Sequence, residues 1–384
     1  MSTDTRRPKS SFHRIVVKLG TTLLTEGTTK LNEARMSSLV SQVAALHNQG
    51  AEIVIVSSGA VAAGRDRLGL TRKKVKGVPL KQALASVGQS RLMSVYEALF
   101  APHNIVLAQA LLTRGDLCQR LGYLNARNTL LALVEMGVIC IVNENDVVAV
   151  EELEEARFGA PWHDNDNLSA MVANLVDADL LLILGDVSGL YTDDPNLNPD
   201  AQIIATVEKI TAEIETMVGG TAGNQGTGGM ITKVEAAKTA TACGTTVIIA
   251  SGREPDVILR VVKGEPVGTR FLPIAGQMES RHRWMVSGLS TRGKLTVDAG
   301  AATALKRQKR SLLAAGITTI EGDFERGDLV DIMDPDGNRL GSGISNYGSS
   351  DLSRIKGAYS GNIADLLGYD YGSEVVHRNN LVIL

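Results

Sequence analysis

The residues best placed to do chemistry lie in Gly219 to Lys233, GGTAGNQGTGGMITK, where glycines and small hydroxyl residues close on a lysine. The stretch runs into VEAAKTATACG, a good helix former with apolar residues at helical spacing, stopped by Gly244. A helix N-terminus carries unpaired N–H groups and the positive end of the helix dipole. Glycine lets the backbone approach a ligand closely. Together these parts make an anion cradle, and phosphate is the anion it suits. The stretch does not contain G-x-x-x-x-G-K-[ST], so it is not a P-loop. Taken alone, it reads equally well as a flexible surface loop between two elements.

With a nucleoside triphosphate in such a cradle, the chemistry is phosphoryl transfer, which needs positioning and charge neutralisation more than covalent help. Lys18 and Lys233 are two cations that could serve it. Asp166 would hold both in register if their loops converge; its simpler role is an N-cap or surface carboxylate. Ser58, Asn143, Asp146 and Asn165 offer donors and acceptors suited to the ammonium and carboxylate of a free amino acid, with turn chemistry as the alternative for each. No general base stands out. A carboxylate acceptor, with a pKa of about 4.3, is already ionised at pH 7 and needs none, whereas a hydroxyl acceptor would benefit from one. The pattern therefore favours an acyl-phosphate product. His163 reads as a loop residue and Cys140 as core.

The elements that must position these residues are visible as short apolar runs. Ile15 to Val17 leads into Lys18-Leu19-Gly20, Ile53 to Val56 into Ser57-Ser58-Gly59, Val138 to Val142 into Asn143-Glu144-Asn145-Asp146, and Leu180 to Leu184 into Gly185-Asp186. Such runs read as buried strands, joined by Ile105 to Leu112 and Thr246 to Ala250. Asn32 to Gln49, Gln82 to Phe100, Leu124 to Met136 and LSAMVANLVDA after Asn167 read as helices. The alternation specifies an α/β protein, a three-layer α/β/α sandwich around a mostly parallel sheet. In open sheets of this kind ligands bind beyond the carboxyl ends of the strands, and that is where the polar clusters recur.

The chain has 384 residues and a net charge of -3. That length suits two domains, and that charge makes no case for a nucleic-acid or membrane partner held by bulk electrostatics. Cys118, Cys140 and Cys243 lie far apart and read as buried thiols in a reducing compartment. No apolar run reaches membrane-spanning length, and a cytoplasmic enzyme is expected. Residues 1–11 read as a disordered lead-in, 12–275 as the α/β domain, and 276–291 as a linker. From 292 to 384 the units shorten, and Asp336-Gly337 between two apolar runs is a hairpin turn, so a small, mainly-β, barrel-like domain is expected. From Ser290 onward 11 Lys and Arg stand against 12 Asp and Glu. RNA binding draws strength from phosphate neutralisation, so RNA is not expected as a partner.

In combination, VVKLGTTLLT at 16–25, SSGAVAAGRDRLG at 57–69, GQSRLM at 88–93, LNARNTL at 124–130, VNENDVVA at 142–149, DNDNLSA at 164–170, GLYTDDPN at 189–196 and GTGGMITK at 226–233 resemble the glutamate 5-kinases of the amino acid kinase superfamily, in the form with a C-terminal PUA domain. The resemblance covers nearly all of the chain from Arg14. It implies phosphorylation of the γ-carboxylate of L-glutamate by ATP, the first step of proline synthesis, with Mg2+ held mainly by the phosphates and no protein metal ligand. It implies Lys18 and Lys233 as phosphoryl-stabilising lysines, Asp166 as their organiser, and Ser58, Asp146, Asn165 and nearby Asn143 as glutamate-binding positions. Lys18, Gly185, Asp186, Thr227, Gly228, Gly229, Met230, Ile231, Thr232 and Lys233 match ATP-binding positions. It further implies inhibition by proline, a homo-oligomer (dimer or tetramer), and hand-over of product to a glutamate-5-semialdehyde dehydrogenase. The chain departs from the family at Gly185, often Thr or Ser, and in a longer loop from Glu151 to Trp162. The alternatives are a related kinase acting on another carboxylate, such as N-acetylglutamate, or an RNA-binding role for the C-terminal domain.

Overall fold

Each apolar run read as a strand is one, and all six join a single sheet. The computed structural model describes residues 12–70, 77–149, 165–195, 197–220, 229–274, 291–308 and 310–383. The loop from Glu151 to Trp162, His163, the lead-in 1–11 and most of the expected linker lie outside the described residues. The strands are β1 Arg14–Leu19, β2 Glu52–Ser57, β3 Leu107–Leu112, β4 Ile139–Glu144, β5 Leu180–Gly185, β6 Thr206–Val207, β7 Thr246–Ser251 and β8 Thr269–Phe271. Their order across the sheet is β3-β4-β2-β1-β5-β7-β8-β6. All pairings are parallel except that of β7 with β8. Lys18 sits in register with Val56 of β2 and Ile183 of β5, so the carboxyl ends of the three central strands lie level.

The helices of this part are α1 Thr21–Thr25, α2 Glu33–His47, α3 Ala60–Arg67, α4 Val78–Phe100, α5 Arg114–Cys118, α6 Arg120–Glu135, α7 Asn165–Leu175, α8 Ala212–Gly220, α9 Met230–Ala242 and α10 Val257–Val262. Helix α2 starts where sequence chemistry says it must: the Asn32 side chain accepts the Arg35 N–H at 2.9 Å as an N-cap. Side chains alternate along β1. Ile15, Val17 and Leu19 enter a core with Met36, Leu39 and Val43 of α2, Leu92 and Tyr96 of α4, and Ile258 and Val261 of α10. Val16 and Lys18 face the other side, where α7 packs on β1 and α9 packs on α7. Helices thus cover both faces, as expected for a sheet whose strands are apolar throughout.

Two boundaries differ from expectation in ways that matter. Helix α7 begins at Asn165, so Asn165 and Asp166 belong to its first turn and do not precede it. Helix α8, which the sequence reading did not identify, ends at Gly220, so the glycine-rich stretch starts inside a helix. Met230 to Lys233 form the first turn of α9. Cys118 is exposed, contrary to expectation, while Cys140 is buried in β4, where burial pushes its thiol up to about 12.

Contacts divide the chain into two units, Met1–Cys118 with Asn125–Gln277, and Gln119–Leu124 with Met278–Leu384. In the second, β9 Gly293–Val297, β11 Ile317–Glu321, β12 Leu329–Met333, β13 Arg339–Ile344 and β15 Leu381–Ile383 form a sheet of order β11-β9-β12-β13-β15. β10 Leu312–Leu313 pairs with β14 Glu374–Val376. Short helices α11 Ala299–Gln308, α12 Ser349–Ile355 and α13 Ile363–Leu367 accompany them. Asp336-Gly337 lies in the turn between β12 and β13, with Gly337 at φ 82°. Leu295, Val330, Ile332, Tyr347 and Val376 centre this unit's own core.

Candidate active site

Three charged side chains from three elements meet in the buried space between α7, α9 and the end of β1. Lys18, at 4% exposure, forms an ion pair through Nζ with Asp166 Oδ1 at 2.5 Å. Lys233, at 6%, donates to Asp166 Oδ2 at 3.0 Å. Thr232 donates its hydroxyl to the same Oδ2 at 3.1 Å. Lys18 arrives because strand alternation turns it away from the core that takes its neighbours. Asp166 and Lys233 arrive because α7 and α9 pack side by side. Both bury small residues, Ser169, Ala170 and Ala173 on one and Ala236, Ala237 and Ala240 on the other, and small residues let helix axes approach closely.

Asp166 is fully buried. Burial alone would raise its pKa, but the charges of Lys18 and Lys233, with the hydrogen bonds they donate, overturn that effect and lower it to about 2. The carboxylate is therefore ionised at neutral pH. Two ammonium groups share one carboxylate in a site largely excluded from bulk water. Positive charge in a low-dielectric site attracts a polyanion strongly. Gly185, at the end of β5, lies beside this cluster: a Cβ there would sit 3.5 Å from Lys233 Cε, in ordinary contact.

A pocket of about 190 Å3 opens on one side of the cluster, lined by Ser58, Asn143, Asp146 and Asn165 along with Thr21, Glu144, Arg65 and Lys81. Its polar groups are ordered by an amide network. Asn165 Nδ2 donates to Ser58 Oγ at 2.7 Å and to Asn143 Oδ1 at 3.1 Å. Asn143 Nδ2 donates to Gln89 Oε1 at 2.9 Å. Both amide hydrogens of Asn165 are thereby engaged, and its Oδ1 is the atom left to accept from a ligand. Below Ser58, Ser57 Oγ pairs with the fully buried Tyr96 hydroxyl at 2.8 Å. Gly59, at φ 103°, makes the turn from β2 into α3, a conformation that a side chain would resist.

A second pocket, of about 380 Å3, is lined by Asp186 to Tyr191, by Asp193, Asp194 and Pro195, and by Met217, Val218 and Met230. Of the expected nucleotide positions, Asp186 and Met230 line it, Gly229 precedes α9, and Thr232 and Lys233 meet Asp166. Ile231 is half-buried in the same turn, and Thr227 and Gly228 lie outside the described residues. The expected amino-acid positions Ser58, Asn143, Asp146 and Asn165 all share the first pocket. Sequence reasoning missed Arg65, Lys81, Gln89 and the run after Asp186. Arg65 stands inside SSGAVAAGRDRLG, where its neighbours drew attention as turn and helix-start residues. Most of the run after Asp186 falls in GLYTDDPN, a motif of the resemblance to which no role was attached.

The chain matches the amino acid kinase family over residues 13–251 and the PUA domain over residues 293–367. It is 56% identical over 376 residues to a glutamate 5-kinase of Dehalococcoides mccartyi, covering 98% of this chain and 100% of that one. It is 49% identical over 369 residues to a glutamate 5-kinase of Herpetosiphon aurantiacus, covering 96% and 98%. It is 46% identical over 381 residues to one of Moorella thermoacetica, covering 99% of each. Among solved structures, a UMP kinase of Bacillus anthracis aligns with a TM-score of 0.45 at 17% identity, over 69% of this chain and 97% of that one.

Proposed function

This chain belongs to the amino acid kinase family, and from that premise we propose that it transfers the γ-phosphoryl group of ATP to the γ-carboxylate of L-glutamate. The observation that carries the reading is the buried pair of lysines on one carboxylate. An oxygen of the glutamate γ-carboxylate forms a bond to the γ-phosphorus as the bond to the ADP oxygen breaks. Three negatively charged groups crowd together in that step. Lys18 and Lys233 offset their repulsion, and each such preorganised donor is worth about 3–4 kcal/mol in a transition state. Asp166 stays ionised and accepts no proton, which the acceptor carboxylate does not require. It holds the two ammonium groups at fixed positions, so little reorganisation is needed when the charge moves.

ATP would lie with its triphosphate toward α9 and its nucleoside toward the pocket of Asp186, Tyr191 and Met217. Mg2+ would neutralise part of the triphosphate charge and be bound mainly by the phosphates, as the family resemblance implies. Glutamate would occupy the smaller pocket, its ammonium facing Asp146 and the Asn165 amide oxygen. Proline carries the same ammonium and carboxylate pair and would compete there. No helix among the described residues is long and apolar enough to cross a membrane.

A hydroxamate assay tests the reading. ATP, magnesium, hydroxylamine and glutamate should yield the γ-hydroxamate, with ADP released in proportion. N-acetylglutamate, whose amide carries no charge for Asp146, should be a poor substrate. Turnover of N-acetylglutamate in preference to glutamate, or of neither, would overturn it.

A further inference from the structure

The roles assigned so far use neither cation of the smaller pocket, Arg65 or Lys81. Arg65 lines that pocket beside Ser58, Asn143, Asp146 and Asn165. Its Nε is sealed from solvent and meets no hydrogen-bond acceptor among the described residues. An enclosed guanidinium N–H left without an acceptor is costly to fold, and this one lines a pocket in which a ligand can supply the acceptor.

The fold holds Arg65 firmly in this position. Helices α3 and α4 cross backbone to backbone at Gly64 and Gly88. A Cβ on Gly64 would lie 1.9 Å from the Leu84 carbonyl oxygen, and one on Gly88 1.8 Å from that of Ala60. Arg65 directly follows this crossing. A long side chain on a helix leans toward the helix N-terminus. That direction is toward the turn of Val61 and Ala62, which line the same pocket as Arg65. Lys81 of α4 adds a second positive charge to the wall.

We propose that Arg65 binds the α-carboxylate of the amino acid substrate and so makes the enzyme select an α-amino acid over an otherwise identical ω-amino acid. The inference rests on the kinase reading above. Under that reading the γ-carboxylate faces Lys18 and Lys233, and the ammonium faces Asp146 and Asn165. The α-carboxylate is then the one substrate charge left to neutralise, and a guanidinium is shaped to hold a carboxylate through two parallel N–H donors.

The experiment compares glutamate with 4-aminobutyrate, which is glutamate without its α-carboxylate, in the wild-type chain and in Arg65→Met and Arg65→Lys. ADP release is followed with MgATP. In Arg65→Met the KM for glutamate should rise about 10- to 100-fold, the worth of a hydrogen bond to a charged group, while kcat falls far less and the KM for ATP stays within twofold. The ratio of kcat/KM for glutamate to that for 4-aminobutyrate should drop by the same factor, and Arg65→Lys should recover part of it. An unmoved ratio, or equal losses for glutamate and ATP, overturns the assignment. Arg65→Lys keeps the volume and charge, so a failure of the Met variant to fold leaves the test standing: wild-type selectivity in the Lys variant with no rise in KM overturns it too. Failure of the kinase reading is separate, and would show as a wild-type chain that does not phosphorylate glutamate.

Discussion

Replacing Asp166 by Asn removes the single negative charge that two buried ammonium groups share. Its oxygens lie 2.5 Å from Lys18 Nζ and 3.0 Å from Lys233 Nζ. At an effective dielectric of about 20, those attractions amount to about 7 and about 6 kcal/mol before desolvation is counted. Most of that is offset by the cost of burying the charges, and removing one partner of a buried ion pair costs about 3–5 kcal/mol net. At about 2 °C per kcal/mol for a unit of this size, the melting temperature should fall by roughly 6–10 °C. The variant has a further signature. With Asp166 gone, Lys18 and Lys233 repel each other, and a triphosphate supplies the anion they lack. MgATP should therefore raise the melting temperature of Asp166→Asn by several degrees more than it raises that of the wild type. Calorimetry with and without MgATP measures both shifts. A melting temperature within 2 °C of wild type, or equal stabilisation of both proteins by MgATP, would refute the argument that Asp166 exists to hold two cations together.

Lys233→Met should reduce kcat by about two to three orders of magnitude, the loss of one transition-state donor, and near-normal turnover in stopped hydroxamate assays would contradict its role. The same variant should be more sensitive to acid. In the wild type the ionised Asp166 stabilises the fold fully above its unfolded value of 3.8, and that contribution is lost as pH falls toward about 2. Without Lys233, burial is opposed by one charge fewer, so the Asp166 pKa rises and the acid-unfolding midpoint, followed by near-UV circular dichroism, should move to higher pH; a midpoint that stays put or moves lower argues otherwise. Asp146→Ala should raise the KM for glutamate about 10- to 100-fold with the KM for ATP within twofold. Parallel losses for both substrates would show that Asp146 supports the site as a whole and does not meet one ligand.

Much of the α/β unit is legible along the chain because its signals are local. Ile15–Val17, Ile53–Val56 and Leu180–Leu184 are too short and too β-branched or uniformly apolar to be surface helices, and each ends in polar residues where a parallel sheet opens its ligand crevice. Asn32 announces α2 through a bond that spans three residues. The start of α7 was less legible, because Asn and Asp serve equally as caps and as first-turn residues. Helix α8 was missed because two glycines close it and its neighbours read as loop.

Residue types and their order along the chain thus determined the layering, the edge at which a ligand binds, and the choice of lysines, aspartates and amides available there, since propensity, alternation and capping act over a few residues. Tertiary packing alone decided that Lys18 and Lys233 end on opposite oxygens of one carboxylate, that Asn165 donates its amide hydrogens to Ser58 and Asn143, and that Arg65 lines the same pocket. Asp166 and Lys233 stand 67 residues apart, and no local rule couples them. Their meeting depends on how closely α7 and α9 pack, and the lowered pKa of Asp166 exists only once that packing has excluded water and brought both cations within hydrogen-bonding distance.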